Sequence, residues 1–555
     1  MYRSQVAVAV LAALAGATAC AVDSPLPPAD IDLAFVPVDA VWRLSGVEGD
    51  GTFGVPVAGG VDVDGDGRGD VVHAAMVAGD GTGAVSIVQG PAAFEPDDDL
   101  ASPRAALARV VGTQSGETAG SEVWVDDVTG DGLGDVLIAR QGFGPEQARA
   151  GAGALTIVPG GSDVFARGEM AAGQHASHVT LLGSQLGGRF AIWVRTGDVD
   201  GDGIADLVVG ADGQSHRDPD ELHPGAAYVI AGGPHLAAPG TYDLADPATL
   251  VGRVVRIDAP ADWAEGHFGA TVQAADLDGN GRAEVLVAST LLRAGASLRP
   301  AGVPPETVHS SGGIDSGVVH IVWDRALPTT PWPATLDVTA VSATVLRGEP
   351  GSARFGEELI GDVDFDADGR PDLFIGDIAG DATGGRPRGG TGHVLFGAAG
   401  LDGLDTDLPS LPAAVRYTRI VGEQTEALSS DTAMAADFDG DGATDLVIGS
   451  PHASPQGRTR AGQLHVLFGD PDGWPAEIDL AAPPEEVRIT TIGGARGRAG
   501  NDEGDTLGYS GAAGDVDGDG FPDIIVNEML GNGRAPGSVD VGNLLVVSGR
   551  VVGGR

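Results

Sequence analysis

The stretch Asp515-Val516-Asp517-Gly518-Asp519-Gly520-Phe521-Pro522-Asp523 decides the fold, because its pattern recurs along the whole chain. The pattern is Asp-x-Asp-x-Asp-Gly-x-x-Asp, with conservative replacements in some copies. The copies begin between 65 and 88 residues apart. The seven copies occupy residues 62–70, 127–135, 198–206, 276–284, 364–372, 437–445 and 515–523. A repeated unit of this length predicts a repeat architecture, not a series of unrelated domains.

Apolar segments flank each acidic stretch at fixed places. A short run such as Leu446-Val447-Ile448 or Ile524-Ile525-Val526 follows the ninth position directly and is typical of a buried strand. A second strand follows after a loop, and two further strand-like pieces precede the acidic stretch. Each period therefore supplies about four strands.

Seven four-stranded units predict an all-β fold, a seven-bladed β-propeller over residues 41–550. In such a ring small sheets pack radially, and closure leaves only short strand edges exposed. A solenoid would have shorter periods and need end caps, and a sandwich gives no reason for seven-fold repetition. Val41–Leu44 comes before the first complete unit, so we expect it to complete the last blade.

The acidic stretches suit a hard cation of the size of calcium. Carboxylates at alternating positions of a tight loop point toward one centre, the seventh backbone carbonyl can join them, and the ninth side chain closes the cage. The sixth position is Gly in every copy, as a sharp turn with positive φ requires. An EF-hand needs Glu at position twelve, where the first copy has His73 and the third has Val209. The alternative interpretation is that these segments are only turns.

We therefore expect up to seven Ca²⁺ ions, with ligands from positions 1, 3, 5, 7 and 9 of each loop. The second and fourth loops carry three carboxylates each, not four, and should bind most weakly. The candidate ligands are Asp62, Asp64, Asp66, Arg68, Asp70, Asp127, Thr129, Asp131, Leu133, Asp135, Asp198, Asp200, Asp202, Ile204, Asp206, Asp276, Asp278, Asn280, Arg282, Glu284, Asp364, Asp366, Asp368, Arg370, Asp372, Asp437, Asp439, Asp441, Ala443, Asp445, Asp515, Asp517, Asp519, Phe521 and Asp523.

These repeats resemble FG-GAP repeats, the units of the integrin alpha-subunit propeller and of many bacterial secreted proteins. The Phe-Gly pair occurs as Phe53-Gly54, Phe268-Gly269 and Phe355-Gly356, and degenerately as Leu507-Gly508. The resemblance implies a propeller with calcium in hairpin loops on one rim and a ligand commonly bound on the opposite face. All seven repeats here carry the acidic loop, which is closer to the bacterial members than to integrins.

Composition and charge exclude one class of partner. The 555 residues include 32 Lys+Arg against 79 Asp+Glu, a formal net charge of −47. Nucleic acid needs clustered cations, so we expect no nucleic-acid binding.

The N-terminus predicts export. Residues 1–19 combine Arg3 with a short apolar run and small residues, as in a secretory signal peptide. Cys20 is the sole cysteine, and its place directly after this segment resembles a bacterial lipoprotein signal, in which the cysteine is lipidated. The alternative is a soluble secreted protein. Residues 20–40 are expected to form a Pro-rich tether. Localisation would then be the cell envelope, with a lipid anchor in the outer membrane, or extracellular, with membrane contact only through the lipid.

The sequence does not indicate a catalytic centre. It contains neither an HExxH pair nor a G-x-S-x-G elbow, so we assign no catalytic residue and expect a non-enzyme. The predicted function is a non-catalytic binding or adhesion module for a protein or glycan at the cell surface. The alternatives are a structural part of a surface assembly and a calcium-dependent polysaccharide lyase or hydrolase. Recurrent tryptophans are expected to pack between blades, with carbohydrate stacking as the alternative: Trp42, Trp124, Trp193, Trp263 and Trp323.

Overall fold

A computed structural model describes most of the chain. The described residues are 30–35, 40–46, 53–91, 98–99, 105–215, 224–260, 266–290, 317–342, 344–349, 354–382, 384–532 and 539–554. The signal peptide, Cys20 and Trp263 lie outside the described residues, so the predictions made for them stay predictions.

Short strands make up almost all of the regular structure. The strands of the first half are β1 Ile31–Asp32, β2 Val41–Ser45, β3 Val57–Val61, β4 Asp70–Ala75, β5 Ala84–Val88, β6 Asp98–Asp99, β7 Leu107–Val111, β8 Ala119–Asp126, β9 Asp135–Arg140, β10 Ala154–Val158, β11 Glu169–Ala171, β12 Val179–Leu182, β13 Val194–Gly197, β14 Asp206–Ala211, β15 Ala226–Ile230, β16 Gly240–Asp243, β17 Val254–Asp258 and β18 Thr271–Ala275.

The second half continues the same pattern, and the described chain has three one-turn α-helices besides short 3-10 turns. Its strands are β19 Glu284–Ser289, β20 Val318–Val322, β21 Thr335–Asp337, β22 Thr344–Arg347, β23 Phe355–Val363, β24 Asp372–Asp377, β25 Thr391–Phe396, β26 Asp405–Asp407, β27 Arg416–Val421, β28 Ala433–Ala436, β29 Asp445–Ser450, β30 Gln463–Leu467, β31 Glu477–Asp479, β32 Ile489–Gly493, β33 Leu507–Gly514, β34 Asp523–Glu528 and β35 Asn543–Val547. The helices are α1 Ala78–Gly81, α2 Val338–Val341 and α3 Gly549–Val552.

The strands form seven sheets, which confirms the predicted seven-bladed propeller. From the inner strand outward, the blades are β3-β4-β5-β7-β11, β8-β9-β10-β12-β16, β13-β14-β15-β17-β21, β18-β19-β20-β22-β26, β23-β24-β25-β27-β31, β28-β29-β30-β32-β1 and β33-β34-β35-β2-β6. We number them blades 1 to 7 in this order. The first four strands of a blade pair antiparallel, and the fifth pairs parallel.

Each blade thus has one strand more than the predicted four. The fifth strands are two to four residues long and consist largely of polar residues, as in Asp405–Asp407 and Glu477–Asp479. Each of them joins the outer edge of the blade that the preceding repeat forms. Such segments are too short and too polar to show an apolar alternation, which is why the sequence did not reveal them.

The second strand of every blade is buried along its whole length. It lies in the middle of a blade and is covered on both faces by the adjacent blades, so most of its side chains are apolar or small. The cores between blades include fully buried Val208 and Val287 between blades 3 and 4, and Leu286 and Ile375 between blades 4 and 5.

The Phe-Gly pairs mark contacts between blades. The backbone oxygen of Phe268 lies 2.2 Å from where a Cβ on Gly225 would stand, so only glycine fits at the start of β15. Phe268 itself is fully buried. Phe190-Ala191 occupies the same place in the third repeat, with Ala191 at a φ of 67°. A search for the dipeptide Phe-Gly misses this copy because alanine replaces the glycine.

The expected tether is partly bound to the ring. Ile31–Asp32 pairs parallel with β32, and Ile31 and Leu33 are buried in the core of blade 6. Nη1 and Nη2 of Arg458 donate hydrogen bonds to the Asp32 carboxylate, at 3.0 and 2.9 Å. Residues 30–35 of the predicted tether therefore pack on the ring, which corrects the prediction for this segment. Alternating apolar residues at 31 and 33 supply an anchoring face within a Pro-rich stretch. Residues 20–29 and 36–39 lie outside the described part.

None of the helices in the described residues has the length and apolar character needed to cross a membrane.

Candidate metal-binding loops

All seven acidic loops are described, and each joins the inner strand of a blade to its second strand. The ninth residue of a loop is the first residue of that second strand, as Asp70 is of β4 and Asp523 of β34. The loop is therefore held at both ends by the sheet. Because the inner strands of a propeller run in one direction, all the loops lie on the same rim.

Direct hydrogen bonds between neighbouring loops confirm this placement. The N–H of Gly134 donates to the carbonyl of Asp62 at 2.8 Å, and the N–H of Gly69 donates to that of Asp515, also at 2.8 Å. In these pairs the eighth position of a loop donates to the first position of the loop before it. The second of these bonds joins the first loop to the seventh, so the chain of contacts crosses the closure of the ring.

The first carboxylate organises the turn of each loop. In the first loop, Asp62 Oδ1 accepts hydrogen bonds from the N–H groups of Gly65 and Asp66, at 2.6 and 3.2 Å, and Oδ2 accepts one from Gly67 at 2.8 Å. Gly67 has a φ of 88°, and the glycines at this position all lie between 81° and 95°. No heavy atom lies within 4 Å of a Cβ built on Gly67, so backbone conformation, not space, requires glycine there.

The ninth carboxylate is buried and bridges two strands. Asp70 is fully buried, and it accepts hydrogen bonds from the N–H of Val63 at 2.9 Å and of Gly90 at 3.0 Å. Glu284 makes the equivalent bonds in the fourth loop, to Leu277 at 2.8 Å and to Asp324 at 3.3 Å. Burial raises the pKa of Asp70 and of Glu284 to about 7.

Burial of Asp70 also decides whether the tripeptide Arg68-Gly69-Asp70 can act as an adhesion motif. A carboxylate with no exposed surface cannot be offered to a partner. The tripeptide therefore belongs to the loop and is not an exposed adhesion motif.

Carboxylate oxygens converge in the loops as a metal site requires. Within each group of three, the candidate ligand oxygens lie within 4.8 Å of one another. These groups include Asp62–Asp64–Asp66, Asp198–Asp200–Asp206, Asp276–Asp278–Glu284, Asp364–Asp366–Asp372 and Asp437–Asp439–Asp445. Acidic groups so close repel one another unless a cation or protons compensate them. These clusters could hold metal ions, and an all-oxygen donor set fits a hard cation such as Ca²⁺ or Mg²⁺.

Arginine and amide side chains already contact several of these carboxylates. Arg416 Nη1 lies 2.6 Å from Asp366 Oδ2, and Gln89 Nε2 donates to Asp64 and Asp66 at 2.8 and 2.9 Å. Arg488 pairs with Asp439. Sequence reasoning did not predict these partners, since they come from outer strands and loops far along the chain.

The two loops with fewer carboxylates keep the same backbone pattern. Thr129 is 2% exposed, and its N–H donates to Asp135 at 2.9 Å. Asn280 accepts from the N–H of Arg282 at 2.9 Å, as aspartate does in the other loops. The turn geometry is thus independent of the missing charges, which would affect only the binding of a cation.

The predicted packing of tryptophans between blades is confirmed for the four described residues of the set, and two of them also line a cavity. Trp42 is 3% exposed and Trp323 1% exposed, within the cores of blades 7 and 4. Trp124 and Trp193 are partly buried and pack against the cores between blades 2 and 3 and between blades 3 and 4, and both also line a cavity between the inner strands, together with Arg195. Trp124 lies on the inner strand β8 and Trp193 directly before the inner strand β13, whereas Trp42 lies on the fourth strand of blade 7 and Trp323 directly after the third strand of blade 4.

Comparison with known proteins supports the identification of the repeats. The FG-GAP repeat family matches residues 190–230, 431–467 and 507–547, and each match contains one acidic loop. Phosphatidylinositol-glycan-specific phospholipase D of Mus musculus is 30% identical over 160 residues, which are 29% of this chain and 17% of that protein. Integrin alpha pat-2 of Caenorhabditis briggsae is 32% identical over 109 residues, 19% of this chain and 8% of that protein.

The matched segments span less than a fifth of these curated relatives. Among solved structures, an exotype rhamnogalacturonan lyase, YesX, aligns over 92% of this chain and 76% of its own, with 15% identity and a TM-score of 0.36. At that TM-score the likeness carries no argument about activity.

Proposed function

We propose that this propeller of FG-GAP repeats is a calcium-stabilised, non-catalytic binding module that acts outside the cytoplasm on the bacterial cell envelope. The acidic loops carry the proposal, since all seven lie on one rim and several neighbouring loops are hydrogen-bonded to each other. Millimolar calcium outside the cell suits sites of this kind, because extracellular modules bind it with Kd values of about 10⁻⁴–10⁻³ M.

Calcium would act on the structure and not on a substrate. Carboxylates at positions 1, 3, 5 and 9 would hold the ion with the carbonyl of position 7. In binding them together, the ion would fix the inner strand of each blade to its second strand. Folding and metal binding are then coupled, because the carboxylates repel one another without the ion.

The similarity to an integrin alpha chain supports an extracellular binding role, although the matched segment is short. The partner would be a protein or a glycan of the cell surface. A rigid ring with variable loops suits such a role, because specificity can change without changing the fold. The test is capture on a glycan array and from surface-protein extracts, with calcium and with chelator. Retention of a partner only with calcium supports the proposal, and failure to retain one in either condition contradicts it.

Anchoring through Cys20 is a separate part of the proposal. Cells producing the wild-type chain or Cys20→Ala would be separated into membrane and soluble fractions. We expect the wild type in the membrane fraction and the variant released. Release of both chains would instead indicate a soluble secreted protein.

A polysaccharide lyase or hydrolase is a second candidate, favoured by Glu122 and Glu358 in the central cavity. Paired carboxyl groups are the usual machinery of glycoside hydrolysis. Incubation with polysaccharides, followed by detection of new reducing ends and unsaturated products, tests this candidate. Activity of the wild type that is lost in Glu358→Gln would favour a catalytic function over the binding role. A structural role in a surface assembly would instead appear as a stoichiometric envelope partner in pull-downs.

A further inference from the structure

The inner strands of all seven blades enclose a cavity of about 580 Å³ in the central channel. Small-molecule sites commonly have volumes of about 300–1,000 Å³. Much of the lining is apolar, from residues such as Val57, Ala433 and Ala512. The charged lining residues are unequal in sign, since Arg195 is accompanied by the acids Glu122, Glu358, Asp362 and Asp431.

Arg195 is already engaged by groups of this chain. Its Nη1 lies 2.6 Å from Glu122 Oε1 and also donates to the carbonyl of Val194 at 2.7 Å. The guanidinium carbon lies 4.3 Å from the ring centroid of Trp124 and 4.8 Å from that of Trp193. Arg195 therefore neutralises Glu122 and occupies the faces of both indoles.

Glu358 is left without comparable compensation. The residue is 8% exposed, and its carboxylate lies 4.0 Å from Arg195 Nη2, the outer limit of an ion pair. Among the described residues, no side chain donates a hydrogen bond to it. A buried carboxyl group with open acceptor capacity is costly unless something else supplies the donor.

Asp431, from blade 6, lines the same cavity and is partly buried. No side chain of the described residues donates a hydrogen bond to its carboxyl group. Burial raises the pKa of Glu358 and of Asp431 to about 8. Asp431 adds to the rise in the pKa of Glu358 and Glu357 to that of Asp431, while Arg195 and Arg354 respectively oppose it. The cavity thus offers two acceptor groups from different blades, and both favour an added positive charge.

We propose that this cavity binds a small organic cation, a primary amine, with its ammonium group between Glu358 and Asp431 and its alkyl part against the apolar lining. An ammonium group offers three donors to two carboxyl groups, which neither an anion nor an alcohol can match in charge. Anionic ligands such as uronates are disfavoured by the surplus of acidic groups. The site is built by inner strands and not by the acidic loops, so it is independent of the calcium proposal.

The test is calorimetric titration of the chain with putrescine in saturating calcium and physiological salt, which limit binding to the acidic loops and surface. Butane-1,4-diol and succinate serve as the neutral and anionic probes. We expect one saturable site for putrescine and none for the other two. Glu358→Gln should weaken binding at least about tenfold, the loss expected for one charged hydrogen bond. Glu485→Gln, the same change at an exposed position outside the cavity, should have no effect.

A second readout separates the proposal from a general loss of structure. Binding should release protons at neutral pH, so the measured heat should vary with the ionisation enthalpy of the buffer, and less so in Asp431→Asn. Unchanged affinity in folded Glu358→Gln, or the absence of saturable putrescine binding by the wild type in the millimolar range, would overturn the proposal.

Discussion

Trp42 lies directly opposite Val546 in antiparallel strands from the two ends of the chain. Through this pairing β2 becomes the fourth strand of blade 7, as the sequence predicted. The ring is therefore closed by hydrogen bonds between the first and last repeats, and Trp42 packs into the core of that blade.

Trp42→Ala should open a cavity at this closure. We expect a loss of about 3–5 kcal/mol in the free energy of unfolding, as for large aromatic side chains elsewhere. Urea denaturation in saturating calcium measures it. Val251→Ala, at a residue 74% exposed, is the control and should change stability little. Equal stability of the two variants would show that the closure contributes little.

Ala367→Gly should stabilise the fifth loop. Ala367 has a φ of 50°, whereas the other six loops have glycine at this position with φ between 68° and 84°. A residue with a Cβ destabilises the fold by about 1–2 kcal/mol when it adopts a left-handed backbone conformation. The greater conformational freedom of glycine in the unfolded chain partly offsets this difference. We expect a gain of up to about 1 kcal/mol by thermal melting. Gly279→Ala is the reverse change at an open position, with Pro371 Cδ 3.8 Å away, and should destabilise. A loss of stability in Ala367→Gly would contradict this explanation.

Thr129→Asp should strengthen cation binding by the second loop. The substitution adds a fourth carboxylate beside Asp135, which should raise calcium affinity roughly tenfold, since charge count tunes such sites. In chelator the same change should destabilise, because the added charge is buried. The gap between melting temperatures with calcium and with chelator should therefore widen. Thr129→Asn is the neutral control. An unchanged gap in Thr129→Asp would argue that this loop is only a turn.

The stability of the ring should fall as the pH rises from about 5 to 8, in part through Glu358. Its pKa is raised to about 8 by burial, with Glu122 and Asp431 adding to the effect and Arg195 opposing it. A raised carboxyl pKa stabilises the fold below the ordinary pKa, and this contribution is lost as the pH rises through the folded value. Melting temperatures of Glu358→Gln should therefore fall less steeply over this range. Parallel pH profiles of the two proteins, measured in saturating calcium, would contradict the assignment.

The repeat pattern predicted the fold because it repeats both chemistry and spacing. Each acidic loop is followed by a strand buried on both faces, and that pairing specifies a blade. The fifth strands were missed because residues such as Asp405–Asp407 have no apolar periodicity. Phe190 was missed because Ala191 takes the positive φ usually given to glycine.

The candidate loops could be predicted by position, whereas the central cavity could not. Glu122, Arg195 and Glu358 lie on different blades and share no motif, so only the radial packing of inner strands brings them together. Arginine partners of the loops, such as Arg416 for Asp366, likewise come from outer strands.

A calcium titration of the chain, combined with melts in calcium and in chelator, tests the central claim most directly. We predict five to seven ions per chain and a large fall in melting temperature on chelation, because ions that bind only the folded state stabilise it. No bound calcium, with the same melting temperature in both conditions, would mean that the acidic loops are only turns.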